Sequence, residues 1–298
     1  MSKVAIIGYG HVGKGMQKIF PDAVFFDKNN TPQKVLLSVG INGDEQRKEF
    51  INSDCDLAIV CVPTPPVGNH EQAVSDNQDE FLSVDTSIVE ETIAWLKTPL
   101  ILIKSTVPPG TTDELAKKYN KKICFSPEYM GEGGYYMPPQ YVDPENPVQH
   151  PFVIVGGEKN EANEIIDIFV SALGPAKTYF QCSAVEAECI KYMENTWIAT
   201  KVIFANEWKN ICDRFGAAYN IVREGWALDA RVEKMHTAVF KERRGFGGKC
   251  LPKDLHGIIA AVSAEGYVPT LLEQVWKSNQ RMRRNDAAMN YKRHRGLL

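Results

Sequence analysis

Short β-branched runs alternate with helix-period stretches from residue 4 to residue 181. Val4–Ile7, Ala23–Phe26, Asp56–Val62, Leu100–Ile103, Lys122–Phe125, Phe152–Val155 and Lys177–Gln181 read as strands, Val4–Ile7 being a short β-branched run of the kind found in a buried parallel strand. Between them, Val12–Phe20, Thr86–Lys97 behind a capping Asp85, Thr111–Tyr119 and Asn160–Leu173 carry helical spacing. The polar segment 67–84 and the Gly-, Tyr- and Pro-rich segment 133–150 read as irregular excursions. Strands alternating with helices predict a doubly wound parallel sheet over 1–182, a Rossmann-like α/β domain. From Ser183 the pattern changes. Ser183-Ala184-Val185-Glu186 is a capping box, and a helix runs from it to Phe215, with Gly216 as its stop. Ile190, Trp197, Phe204, Trp208, Ile211 and Phe215 recur on one stripe, which predicts a buried face. A helix this long bridges domains or builds a dimer core. The remainder of the chain is expected to be helical and charged apart from one glycine-rich stretch, ending in a helix over Leu271–Met282, so 183–298 reads as an all-α dimerisation domain.

The first strand runs into Gly8-Tyr9-Gly10-His11-Val12-Gly13, a GxGxxG loop that opens a helix. Asp27 closes the second strand about twenty residues on, where a carboxylate accepts ribose hydroxyls and repels a 2′-phosphate. The pattern points to NAD. Gly8 to Lys14 also fits the start of a phosphate-binding P-loop, but Gly15 stands where the magnesium-binding hydroxyl belongs, which sets that reading aside. Ligands of such sheets bind beyond the carboxyl ends of the strands, which makes Thr64, Ser105, Thr106, Glu128 and Glu132 informative. Taken singly, each reads more plainly as an ordinary loop cap.

The second concentration of chemistry is Gly245-Phe246-Gly247-Gly248-Lys249-Cys250-Leu251-Pro252-Lys253-Asp254. Glycines expose backbone amides to anionic or carbonyl oxygens, a lysine favours the thiolate, and a carboxylate can hold water or accept a proton. Together they suggest covalent chemistry at a carbonyl. The bland alternative is an inert structural cysteine beside a solvated turn. Lys191 and Asn195 share a helix face at i and i+4, and spacing alone leaves a solvent-facing pair as the plainer reading. Arg281, Arg283, Arg284, Lys292, Arg293 and Arg295 make a basic end that reads as a solvated tail.

Composition narrows the classes. The net charge of −3 gives no global field to recruit nucleic acid or an anionic membrane. The seven cysteines form no CxxC pair, so neither a disulfide framework nor a zinc site is indicated, and no metal is expected. Free thiols suit a reducing compartment, and the absence of a leader or an 18-residue apolar run points to a cytoplasmic protein off the membrane.

GYGHVG at 8–13, VPTP at 62–65, KSTVPPG at 104–110, SPEYMGE at 126–132, Lys191 with Asn195 and the later Asn206-Glu207, and GFGGKCLPKD at 245–254 occur in one order. In that order they resemble the UDP-glucose/GDP-mannose dehydrogenase family, and the likeness covers residues 4–280 or so. The lysine and aspartate after the cysteine are more similar to the UDP-glucose and GDP-mannose branches than to the N-acetylmannosamine branch. The resemblance implies a four-electron, NAD-dependent oxidation of a nucleotide sugar at C6, UDP-glucose to UDP-glucuronate foremost, through a Cys250 thiohemiacetal and thioester. It implies catalytic roles for Cys250, Lys191, Asn195, Asp254, Thr106 and Glu128. It places cofactor contacts at Gly8, Gly10, His11, Val12, Gly13, Asp27, Pro63, Thr64, Thr106, Glu132 and Lys253. Substrate contacts fall on Glu128, Lys191, Asn195, Arg231, Phe246, Gly247, Gly248 and Cys250, with Arg231 reaching a neighbouring subunit's site, hence at least a homodimer. Family members continue into a third domain that clamps the diphosphate, whereas here only residues 255–298 come after Asp254. The amides of Gly245 to Gly248, with Arg244 and Lys249 beside them and Arg231 from a neighbouring subunit, are the expected substitutes, ahead of the basic C-terminal end. Two other functions compete: a single-step β-hydroxyacid-type dehydrogenase, which has no need of Cys250, and a nucleotide-sugar binding protein without turnover.

Overall fold

The structure is a computed structural model that describes residues 2–29, 43–68, 81–131, 143 and 145–294, with side chains to 284. Its described residues fall into two compact units. The first lies within Met1–Pro65, Val84–Gly133 and Met137–Lys191, and the second within Pro66–Ser83 and Tyr192–Leu298.

The first unit is a seven-stranded sheet in the order β2-β1-β3-β4-β5-β6-β7. The strands are β1 (Val4–Ile7), β2 (Val24–Phe26), β3 (Leu57–Val60), β4 (Leu100–Ile103), β5 (Ile123–Phe125), β6 (Phe152–Gly156) and β7 (Thr178–Cys182). All neighbours pair in parallel except β5 and β6, which meet antiparallel at Phe125 and Gly156. The doubly wound parallel sheet expected from the sequence is found, with this one antiparallel pair within it. Helices α1 (His11–Ile19), α2 (Asp44–Asp54), α3 (Ser87–Trp95), α4 (Thr111–Tyr119) and α5 (Lys159–Leu173) cover the sheet. One apolar cluster gathers Ile6, Met16, Phe25, Leu57, Ile59, Leu102 and Phe169, and the other Ile7, Ile51, Val60, Val89, Ile93, Ile103 and Phe125. In β1, β3 and β4 successive residues feed opposite clusters, which explains why these strands are apolar throughout.

Helix α6 (Ala184–Arg214) begins with the capping box read from the sequence. The Glu186 carboxylate accepts from the Ser183 amide at 2.7 Å, and Ser183 Oγ accepts from the Glu186 amide at 3.3 Å. Gly216 lies just past its end at φ +68°, a left-handed stop that favours glycine. The second unit continues through α7 (Tyr219–Trp226), α8 (Leu251–Ala264) and α9 (Thr270–His294). Residues 227–250 are turns and irregular chain with one bridge, Phe240 to Arg243, so the expectation of helix there is corrected. Gly245, Gly247 and Gly248 and a dense set of charged residues leave that stretch too few apolar anchors to hold a helix.

The aromatic stripe of α6 is also corrected. Trp197, Phe204, Trp208, Ile211 and Phe215 are exposed on this chain. The buried face runs instead through Ala187, Glu188, Lys191, Tyr192, Asn195, Thr196, Ala199, Ile203 and Asn206. Among the described residues no helix is long and apolar enough to cross a membrane.

Candidate active site

The dinucleotide loop takes its shape from its glycines. Gly8 sits at φ +94°, and a Cβ there would stand 2.6 Å from the Cys61 carbonyl oxygen. A Cβ on Gly13 would stand 2.0 Å from the Gly8 carbonyl oxygen. Only glycine lets the end of β1, the end of β3 and the start of α1 come this close. Gly10, by contrast, has open space around it and caps α1 with no side chain. The first-turn amides of α1 therefore face outward without an acidic residue to compete for an anion. Asp27 accepts from the Tyr9 amide at 2.7 Å and the Asn29 amide at 2.8 Å, which ties the end of β2 to the glycine loop. His11 is exposed, Val12 half-buried, Pro63 exposed and Thr64 buried. Gly15 packs on Met130, whose sulfur lies 2.2 Å from where a Cβ would be, so the P-loop hydroxyl has no room. Open amides, a glycine cradle and an acid at the end of β2 fit a dinucleotide.

Beyond β4 and β5 the same unit holds a buried ionic cluster. Lys104 donates to Ser126 Oγ at 3.2 Å and to the Pro127 carbonyl at 2.8 Å, and its Nζ lies 3.5 Å from Glu128 Oε2. Glu128 Oε1 accepts from the Tyr129 and Met130 amides, both at 2.8 Å. Burial pushes this carboxyl up, but Lys104, the Met130 amide, Lys191 and the Tyr129 amide outweigh it and hold the group below the ordinary glutamate value. Lys191 Nζ donates to the Glu128 carbonyl and lies 5.5 Å from the centre of the Tyr129 ring. Thr106, half-buried, stands in the loop just after Lys104.

In the second unit Cys250 caps the N-terminus of α8 and is exposed. A thiol at that end gains from the partial positive charge of the helix terminus. Lys253 and Asp254 occupy the first turn, and the Lys253 ammonium meets Asp254 Oδ1 at 2.5 Å. Asp254 is buried, and its other oxygen accepts from Asn195 Nδ2 at 2.5 Å. Lys191 and Asn195 are both buried, against the solvent-facing alternative. One turn apart on α6, they bond to Glu128 and Asp254 respectively.

Residues 40–170 match the UDP-glucose/GDP-mannose dehydrogenase family, NAD binding domain, and residues 185–281 match that family's central domain. The chain belongs to this family. The matched N-terminal part is the family's NAD binding domain, and NAD is its cofactor. The UDP-glucose 6-dehydrogenase of Rickettsia prowazekii is 29% identical over 291 residues, covering 91% of this chain and 62% of that protein. The chain thus spans under two thirds of that relative's length. A UDP-glucose dehydrogenase from Pyrobaculum islandicum has the same fold, with TM-score 0.78 and 23% identity over 99% of this chain and 72% of that one. A UDP-D-ManNAc dehydrogenase from Pyrococcus horikoshii shares it at TM-score 0.73 and 23% identity, covering 97% and 71%.

The family's glycine-rich stretch is held from behind, which corrects part of the expectation for it. The Gly245 amide donates to Asn206 Oδ1 at 3.2 Å and the Phe246 amide to Asn279 Oδ1 at 2.7 Å, so these two are spent inside the protein. Arg244 is likewise committed, donating to Asn206 Oδ1, the Asn206 carbonyl and Asn210 Oδ1. Among the described residues, the amides of Gly247 and Gly248 are not drawn into such bonds. Arg283 is not part of a solvated tail. Its Nη1 donates to the Phe246 carbonyl at 3.2 Å and lies where a Cβ on Gly247 would fall, 2.5 Å away. Phe246 itself is buried beside Trp276. Arg231 is exposed and forks onto Asp229. Glu132, Lys292, Arg293 and Arg295 lie outside the residues whose side chains are described.

Proposed function

We propose that the chain carries the NAD-binding and reacting parts of an enzyme that oxidises a nucleotide sugar from C6 alcohol to carboxylate, with UDP-glucose the favoured substrate and UDP-glucuronate the product. The carrying observation is Cys250, exposed at the N-terminus of α8 with Lys253 and Asp254 on the next turn and Asp254 tied to Asn195. Bound NAD⁺ supplies the hydride acceptor, once for the alcohol and once more for the adduct. The C6 alcohol loses a hydride and a proton to give the aldehyde. The Cys250 thiolate then adds to the carbonyl carbon, and the new oxyanion meets donors from Asn195 and Lys191. Loss of a second hydride from that thiohemiacetal leaves a thioester on Cys250. Water adds, the C–S bond breaks, and carboxylate and thiol are released. Asp254 and Thr106 orient the water, and Glu128, held ionised by its cations, takes the proton.

We take 1–182 as the cofactor domain and 183–298 as the reacting and pairing domain. The exposed α6 aromatics support a homodimer in which Arg231 serves the neighbouring site.

NADH formation from UDP-glucose, GDP-mannose and UDP-N-acetylmannosamine tests the reading. The expected result is two NADH per UDP-glucose. One NADH per substrate would support the single-step alternative, and binding without NADH the binding-protein alternative. Cys250→Ala should abolish carboxylate formation. Cys250→Ser should retain at most a slow partial reaction and trap an ester, since an alkoxide leaves less readily than a thiolate. Normal turnover by the alanine variant would defeat the mechanism.

A further inference from the structure

The thioester route leaves one buried acid unused. Glu188 lies on α6 one turn before Lys191 and on the same face, with no exposed surface. Its carboxylate accepts three hydrogen bonds: from the Gly110 amide at 2.5 Å, the Thr112 amide at 2.9 Å and Thr112 Oγ1 at 2.6 Å. All three donors sit at the start of α4. That helix is capped by Gly110, which has no side chain to satisfy its orphan amides. Glu188 does from another helix what an N-cap side chain would do locally.

The stretch between β4 and α4 is stiff. Its first end is fastened by Ser105, whose hydroxyl donates to the Val62 carbonyl at 2.6 Å and whose amide donates to Val60 at 3.3 Å. Pro108 and Pro109 fix two φ angles, and the Thr111 hydroxyl closes back on the Pro108 carbonyl at 2.6 Å. Gly110 takes the left-handed φ of +92° that ends the turn. Thr106 lies between the two fastenings, so a shift at Gly110 has few soft torsions in which to dissipate. We propose that Glu188 is a positioning residue for the reaction: its carboxylate clamps the Ser105–Gly110 loop, and with it Thr106, to the helix that presents Lys191. The inference rests on the dehydrogenase reading for its effect on rate, but the clamp itself can be measured without any substrate.

Burial raises the Glu188 carboxyl to about 7 despite its three donors, with Asp113 adding in the same direction. The ionised form is costly to keep, yet it is the form whose two oxygens match three donors. A glutamine would turn an N–H₂ toward at least one of them.

Glu188→Gln, Thr112→Val and Thr112→Ser test the clamp by amide hydrogen exchange and by steady-state kinetics. In Glu188→Gln the Gly110 and Thr112 amides should exchange about tenfold faster or more, the loss of one hydrogen bond, while Leu100–Ile103 are unchanged. Its kcat should fall roughly ten- to hundredfold, as for a misplaced reacting group, with NAD⁺ affinity kept. Thr112→Val should show the same pattern more weakly, and Thr112→Ser should restore it. Unchanged exchange at Gly110 and Thr112, or wild-type kcat in Glu188→Gln, overturns the proposal. So does a loss of kcat matched by an equal loss of NAD⁺ binding or of folded protein. If the wild-type chain makes no NADH from any nucleotide sugar, the dehydrogenase reading fails and the exchange arm still decides the clamp. If Glu188→Gln does not fold, the Thr112 pair carries the test.

Discussion

Two buried glutamates in the same unit are driven in opposite directions. Glu128 and Glu188 each accept two backbone amides, and each loses nearly all its contact with water. Glu128 is held below the ordinary glutamate value, whereas Glu188 rises to about 7. The difference is cationic. Lys104 Nζ stands 3.5 Å from Glu128, and Lys191 adds to it, while Glu188 has only neutral donors and the like charge of Asp113. Backbone amides and a hydroxyl soften the cost of burying a carboxylate, but a nearby lysine reverses its sign. The glutamate proposed for chemistry is therefore kept ionised, and the one proposed to hold the loop is kept at the edge of protonation.

The comparison breaks hardest at Lys104. Lys104→Met should remove the cation that offsets Glu128 burial and leave a buried charge short of its partner. A loss of about 3–5 kcal/mol in urea unfolding at neutral pH is expected. A carboxyl held low in the fold gives stability that is present above its unfolded value and lost as pH falls through its folded value. The penalty in Lys104→Met should therefore shrink toward acid. A loss under about 1 kcal/mol at pH 7 would show that the amides and Lys191 keep Glu128 ionised without Lys104.

The second break is at Glu188 and has the opposite slope. A carboxyl raised in the fold gives stability that is complete below its unfolded value, near 4.5, and is lost as pH rises to about 7. Glu188→Gln carries no charge to bury. Its stability relative to wild type should improve by about 2–3 kcal/mol between pH 5 and pH 8, the free energy of a shift of this size. Parallel unfolding curves at the two pH values would remove the contrast with Glu128. Set against the expected fall in kcat, a gain in stability would mean that the clamp is kept for its action on the loop.

Much of the frame was legible from the chain, and the reasons for the rest are physical. Strand Leu100–Ile103 falls where its continuous apolar run puts it, and helix Thr111–Tyr119 falls where its helical pattern puts it. The loop at Gly8–Gly13 is equally local. On α6, however, the aromatics point to the wrong face. Its buried face is small and polar, Ala187, Glu188, Lys191, Asn195 and Asn206, and an apolar-periodicity reading passes over such a face. A charged Glu188 one turn before Lys191 was the available signal. The roles of Asn206, Asn279 and Arg283 behind the glycine stretch could not be read locally, since each contact joins residues more than thirty apart in the chain. Arg244 beside those glycines suggested an anion ligand, whereas the fold spends it on Asn206 and Asn210.

The finest test of the contrast removes one neutral donor and leaves every charge in place. Thr112→Val keeps the side-chain shape and deletes the hydroxyl that meets Glu188 Oε1 at 2.6 Å. Thr112 is fully buried, so no water replaces the lost donor. A hydrogen bond to a charged group contributes about 1.5–3 kcal/mol, and Glu188 is largely ionised only above pH 7. The loss should therefore be about 1–2 kcal/mol at pH 8 and smaller at pH 5, where the protonated acid needs the donor less. Removing a donor to the anion also raises the Glu188 carboxyl further, so the fall in stability between pH 5 and pH 8 should be steeper than in wild type. Urea unfolding at the two pH values measures both quantities. A loss that is equal at pH 5 and pH 8 would mean that the hydroxyl serves the packing of α4 and not the charge on Glu188. The contrast between the two glutamates would then rest on the lysines alone.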